Sequence, residues 1–109
     1  MTDLNKQQCV PCEVGGAPLT RAEAEKLMRD LSGWTLALDT KSIAKEYSCK
    51  DFMSAIALTN QIAALAEKEG HHPDLSVSWG RVGVTLSTHA VQGLSLNDFI
   101  LAAKIDALG

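Results

Sequence analysis

Aromatic residues are scarce in this 109-residue chain: two Trp, one Tyr and two Phe, 5% in all. Its core must therefore be aliphatic, drawn from Leu, Ile, Val and Ala. Basic charge is also short, since ten Lys and Arg face thirteen Asp and Glu and leave a net charge of −3 with histidine neutral. A mildly acidic domain lacks the electrostatic footprint for wrapping nucleic acid, so no nucleic-acid partner is expected. No eighteen apolar residues run together, so no membrane-spanning helix is expected. The first twenty residues lack the continuous apolar stretch of a secretory signal. Cysteine is limited to Cys9, Cys12 and Cys49, which cannot all pair within one chain. A reduced, cytoplasmic setting is the simplest expectation. Cys9 and Cys12 form a CxxC pair, but no second ligand pair follows for zinc. Nor does their Gly/Pro-containing context suit a thioredoxin-like motif, which sits at a strand-to-helix junction.

What is present suits one compact domain: 46% hydrophobic and 21% charged residues lie near globular averages. Residues 1–19, with Pro11, Gly15, Gly16 and Pro18, read as a flexible leader, and 20–109 as the domain. Thr20 and Glu23 form a capping-box signature for a helix over 21–31. From Trp34 the period changes to two. Trp34, Leu36 and Leu38 alternate with polar or small residues, and 39–42 is a polar turn. Ile43, Lys45 and Tyr47 then share one face of a second strand, completing a hairpin. Ser48-x-x-Asp51 resembles another helix start. Behind it, Phe52, Ala55, Ile56, Thr59, Ile62, Ala63 and Ala66 mark one face over four turns. Met53, Ala57, Leu58, Ala64 and Leu65 widen the apolar arc until the helix must be covered on more than one side. Either a second subunit or a neighbouring helix of the same chain would cover it.

Gly70 and Pro73 end that helix. Leu75, Val77 and Trp79 alternate along a third strand, and Val82, Val84 and Leu86 along a fourth, with Gly80-Arg81 as a two-residue turn. Ser95-x-x-Asp98 caps a last helix. The order α-β-β-α-β-β-α predicts an α+β fold: a four-stranded antiparallel sheet with three helices on one face.

All three histidines of the chain converge in this scheme. His71 and His72 precede the third strand and His89 follows the fourth, so a tight hairpin brings them to one end of the sheet. A surface or core role remains open for each. A three-histidine metal site is disfavoured because adjacent histidines splay apart in an extended segment, so no metal is expected. Acid–base work near neutral pH suits imidazole, whose ordinary pKa is about 6.5. No serine or cysteine stands in a recognisable nucleophile context. Glu67 can orient a ring or be a solvated helix residue; Asp98 can serve the site or only cap its helix.

The ordered set Glu67-x-x-x-His71-His72-Pro73, Trp79, His89 within Leu86-Ser87-Thr88-His89, and Asp98 resembles the signature of the pterin carbinolamine dehydratases. These are also called 4a-hydroxytetrahydrobiopterin dehydratases. The resemblance spans about residues 20–107, and it leaves Cys9 and Cys12 without a role. It implies the same fold and loss of water from a 4a-hydroxytetrahydropterin to give the quinonoid dihydropterin, a hydro-lyase reaction that recycles the pterin cofactor of aromatic amino acid hydroxylases. It implies His71, His72 and His89 as catalytic residues, with His71 and His89 the better general-acid candidates and His72 as substrate binder or base. Glu67, Pro73, Trp79, Ser87, Thr88 and Asp98 would support the site or bind substrate. No metal, redox cofactor or covalent intermediate is implied, and the assembly would be a dimer or tetramer. Gly70 departs from animal members, which often carry an acid there. The alternative is a non-catalytic interaction protein on the same fold, of the dimerisation-cofactor type.

Overall fold

The computed structural model describes residues 4–6 and 17–108. Its elements run α1 (Arg21–Met28), β1 (Thr35–Leu36), β2 (Ile43–Ser48), α2 (Phe52–Glu69), β3 (Asp74–Ser78), β4 (Arg81–Leu86) and α3 (Leu96–Asp106), with short 3-10 turns at Leu4–Lys6 and His89–Val91. The predicted α+β order is present. The strands pair antiparallel throughout in the spatial order β1-β2-β4-β3.

Local chemistry sets the boundaries. Thr20 and Glu23 make the reciprocal capping box, and the helix behind them stops at Met28 rather than reaching residue 31. The amides of Arg29, Asp30 and Leu31 instead bond to carbonyls three residues back, the tighter geometry of a helix end. Helix α2 starts later than expected. Ser48 is still paired to Arg81 in the sheet, and the N-cap is Asp51, which accepts from the Ser54 amide at 2.7 Å. Strand β1 is short because a turn already begins at Ala37, whose carbonyl accepts from the Thr40 N–H. Leu38 consequently sits in that turn and is 94% exposed, instead of sharing a face with buried Trp34. The β3–β4 turn is Trp79-Gly80, one residue earlier than expected, since Ser78 pairs with Arg81.

Period-two alternation puts Ile43, Val82, Val84 and Leu86 on the covered face of the sheet. They pack with Ala24 of α1, Ala55 and Ile62 of α2, and Phe99, Ile100, Leu101 and Ile105 of α3. Each large aliphatic side chain fully buried this way contributes about 1.5–3 kcal/mol. Lys45 and Tyr47 share that face but end on Asp106. Its carboxylate accepts from the Trp34 indole at 3.0 Å, the Lys45 ammonium at 2.8 Å and the Tyr47 hydroxyl at 2.6 Å. Burial first, and then Asp106, push the Tyr47 hydroxyl well above the ordinary tyrosine pKa.

Of the leader expected over 1–19, residues 4–6 and 17–19 are described. Leu4 is buried in the core beside α3, and the Leu19 amide donates to the Leu94 carbonyl at 2.8 Å. Cys9 and Cys12 lie outside the described residues. No helix among the described residues is long and apolar enough to cross a membrane.

Candidate active site

The site is assembled at the sheet end where Asp74 pairs with Thr85. Helix α2 closes there with Gly70 at φ 67°, the left-handed conformation in which glycine has no side chain to strain. The His71 amide donates to Ala66 and the Gly70 amide to Glu67, so the first histidine leaves the helix on a fixed backbone. Pro73 then favours an extended conformation at His72 and starts the chain toward β3. Because β4 runs back beside β3, residues 87–89 emerge at the same end.

Each adjacent histidine takes its own carboxylate. His71 Nε2 lies 2.6 Å from Asp98 Oδ1. Its side chain is 11% exposed, and that of Asp98 is fully buried. Asp98 Oδ2 also accepts from the Thr88 hydroxyl at 2.8 Å and the Ser95 amide at 3.0 Å. With Asp98 Oδ2 already accepting twice, an N–H at His71 Nε2 completes the set of donors to this carboxylate and leaves Nδ1 outside the contact. His72 Nε2 meets Glu67 Oε1 at 2.7 Å in a much wetter setting, the ring side chain being 62% exposed. An exposed pair of this kind orients more than it stabilises. His89 opens the 3-10 turn after β4, and its exposed ring makes no hydrogen bond among the described residues.

Asp98 thus does both things considered for it. Ser95 and Asp98 form the capping box of α3, and the same carboxylate grips His71. Glu67 is likewise a ring partner, for His72. Ser87 and Thr88 arrive with His89. Trp79 does not join this group within its own chain: it lies in the turn at the opposite end of the hairpin, 69% exposed and five residues along the strand from Asp74, about 16 Å. Among the described residues no group of three or more His, Cys, Asp or Glu is placed to hold a metal ion.

Three neighbours escaped the sequence reading. The Ser95 hydroxyl lies 2.8 Å from that of Thr88 and extends the Asp98 network. Lys41 and Gln92 line a cavity with Ser87, Thr88, His89 and Gly93. Lys41 carries no motif of its own. Its place follows from the pairing of Ile43 with Leu86, which sets residues 41 and 88 side by side just beyond the ladder.

Residues 17–108 match the family model described as pterin 4 alpha carbinolamine dehydratase. A Rickettsia bellii protein provisionally named pterin-4-alpha-carbinolamine dehydratase is 47% identical over 96% of this chain and 93% of its own. A similarly named protein of Halorhodospira halophila is 41% identical over 97% of both chains. At that coverage both alignments extend into residues 1–19. Among solved structures, a transcriptional coactivator/pterin dehydratase from Brucella melitensis superposes with a TM-score of 0.79 at 35% identity, covering 84% of this chain and 97% of that one. A pterin dehydratase-like protein identified as a RuBisCO assembly factor shares the fold, with a TM-score of 0.60 at 23% identity over 70% of this chain and 88% of that one.

Proposed function

The chain belongs to the pterin 4 alpha carbinolamine dehydratase family, and on that premise we propose that it dehydrates 4a-hydroxytetrahydropterin to quinonoid dihydropterin and water. The observation that carries this reading is the buried Asp98 holding His71 beside a second histidine–carboxylate pair and an exposed His89.

Hydroxide is a poor leaving group. A protonated imidazole at the 4a oxygen donates its proton as the C4a–O bond breaks, so the group departs as water. The lone pair on N5 forms the C4a=N5 double bond, and a neutral imidazole then takes the N5 proton. His71 and His89 suit the acid role: Asp98 orients the His71 ring, and the His89 ring makes no hydrogen bond among the described residues. His72, oriented by Glu67, binds substrate or acts as base. Ser87, Thr88 and Pro73 shape the rim. The chemistry calls for no metal or redox cofactor. The substrate arises when aromatic amino acid hydroxylases use the pterin, which makes such an enzyme the functional neighbour and the cytoplasm the expected setting.

A direct assay with freshly generated carbinolamine tests the proposal. Wild type is expected to exceed the spontaneous rate. His72→Ala and His89→Ala are each expected to lose roughly 100-fold or more with far-UV dichroism unchanged. Full activity in the double variant would sink the assignment. A wild-type rate equal to the spontaneous one would favour an interaction role, the reading that the coactivator half of the Brucella protein's name supports.

A further inference from the structure

Beside His89 lies a cavity of about 350 Å³ lined by Lys41, Ser87, Thr88, His89, Gln92 and Gly93. Its lining holds an ammonium, an amide, two hydroxyls and an imidazole, but no carboxylate. Lys41 enters no ion pair among the described residues. Asp39, the acid on the same turn, accepts instead from the Lys41 backbone N–H at 2.9 Å.

The backbone around this cavity is unusual. Among the described residues two non-glycines have positive φ: Thr40 at 63° and Gln92 at 56°. One immediately precedes Lys41 and the other lines the cavity. Such conformations persist only where the surroundings over-determine them, and they gather at ligand-binding places. The Lys41 turn is so determined: Arg21 of α1 reaches the Leu38 carbonyl and the Thr40 hydroxyl, both at 3.2 Å. The cation is therefore carried on a braced turn.

We propose that this cavity receives the substituent at C6 of the pterin, and that Lys41 makes the site select substituents bearing an anionic oxygen group such as a phosphate ester. The proposal rests on the dehydratase reading for the identity of the ring. With the reacting ring among the three histidines, a short chain entering past His89 and Thr88 meets the Gln92 amide and the Lys41 ammonium. A strong point charge with no ion-pair partner among the described residues ranks an anionic end above a neutral hydroxyl. Lys41 is then a specificity-determining residue, with no part in the proton transfers.

The test uses the intact chain and three 7,8-dihydropterins: the 6-methyl compound, the 6-dihydroxypropyl compound and the side-chain phosphate ester of the latter. Affinities come from calorimetry, and kcat/KM from the corresponding carbinolamines. Wild type is expected to favour the phosphate ester over the 6-methyl compound roughly tenfold, the worth of one charge-assisted hydrogen bond. Added salt should shrink that preference. Lys41→Gln should bring the ratio toward one, and Lys41→Arg should restore it. Equal affinity for the three compounds in wild type, or a preference that survives Lys41→Gln, overturns the proposal. Inorganic phosphate competing as well as the ester would assign the cavity to a free anion and overturn it too. A chain that binds the ester in a Lys41-dependent way yet gives no rate above spontaneous overturns the dehydratase reading and leaves the cavity assignment standing. A full rate with no preference does the reverse.

Discussion

Asp98 is the residue on which site and fold meet. Its two oxygens answer three donors: the His71 ring, the Thr88 hydroxyl and the Ser95 amide. Asp98→Ala leaves all three without their acceptor in a buried place, and a loss of about 3 kcal/mol is expected in urea unfolding. Asp98→Asn is the more informative change, because it keeps the shape and removes the charge. It permits the wrong His71 tautomer, so kcat is expected to fall roughly 100-fold while KM changes little. A raised KM at unchanged kcat would mark Asp98 as a binding residue instead. Spacing alone exposed Asp98 as a helix cap. It offered a second duty at the site without its partner, since nothing in Ser95-x-x-Asp98 says which ring stands 27 positions earlier on the other side of the carboxylate.

At the scale of elements, α2 decides where the first two histidines stand. Its C-terminus is set by Gly70, and its N-terminus by Asp51. The Ser54 amide holds the Asp51 carboxyl below the usual carboxylate pKa. A group whose folded pKa is depressed stabilises the fold above its unfolded value, about 3.9, and the contribution is lost as pH falls through the lower folded value. Asp51→Asn keeps a capping oxygen without the charge. Urea midpoints at pH 7 and pH 3 are expected to differ less in the variant than in wild type; an identical difference refutes a charged cap. The cap also shows why helix starts are hard to read. Ser48 and Asp51 are both good capping residues, and only the pairing of Ser48 with Arg81 removes the first from consideration.

At the scale of the whole molecule, the broad apolar arc of α2 finds only part of its cover within the chain. Ala55, Ile62 and Ala66 are buried, whereas Met53 is 70% exposed and Ala57, Ala63 and Ala64 also face outward. Among the described residues no neighbouring helix covers that side, so a second copy is the proposed cover. Met53, Ala57, Asn60 and Ala64 lie on one stripe at helical spacing. Wild type is expected to show the mass of two or four chains by light scattering. Ala57→Glu is expected to give single chains with unchanged far-UV dichroism, because an exposed helical glutamate suits the isolated fold. A single-chain mass for wild type would end the oligomer reading.

The sequence by itself determined the alternation of elements, the covered face of the sheet and the end of the hairpin at which three histidines meet. These follow from periods of two and 3.6, from glycine and proline as punctuation, and from antiparallel pairing, all of which are local. The tertiary structure alone decided that His71 belongs to Asp98 and His72 to Glu67, that Asp106 gathers Trp34, Lys45 and Tyr47, and that Lys41 stands beside His89. Those pairings join residues brought together by packing, where the partner is chosen by the burial and geometry of the whole domain rather than by any spacing along the chain.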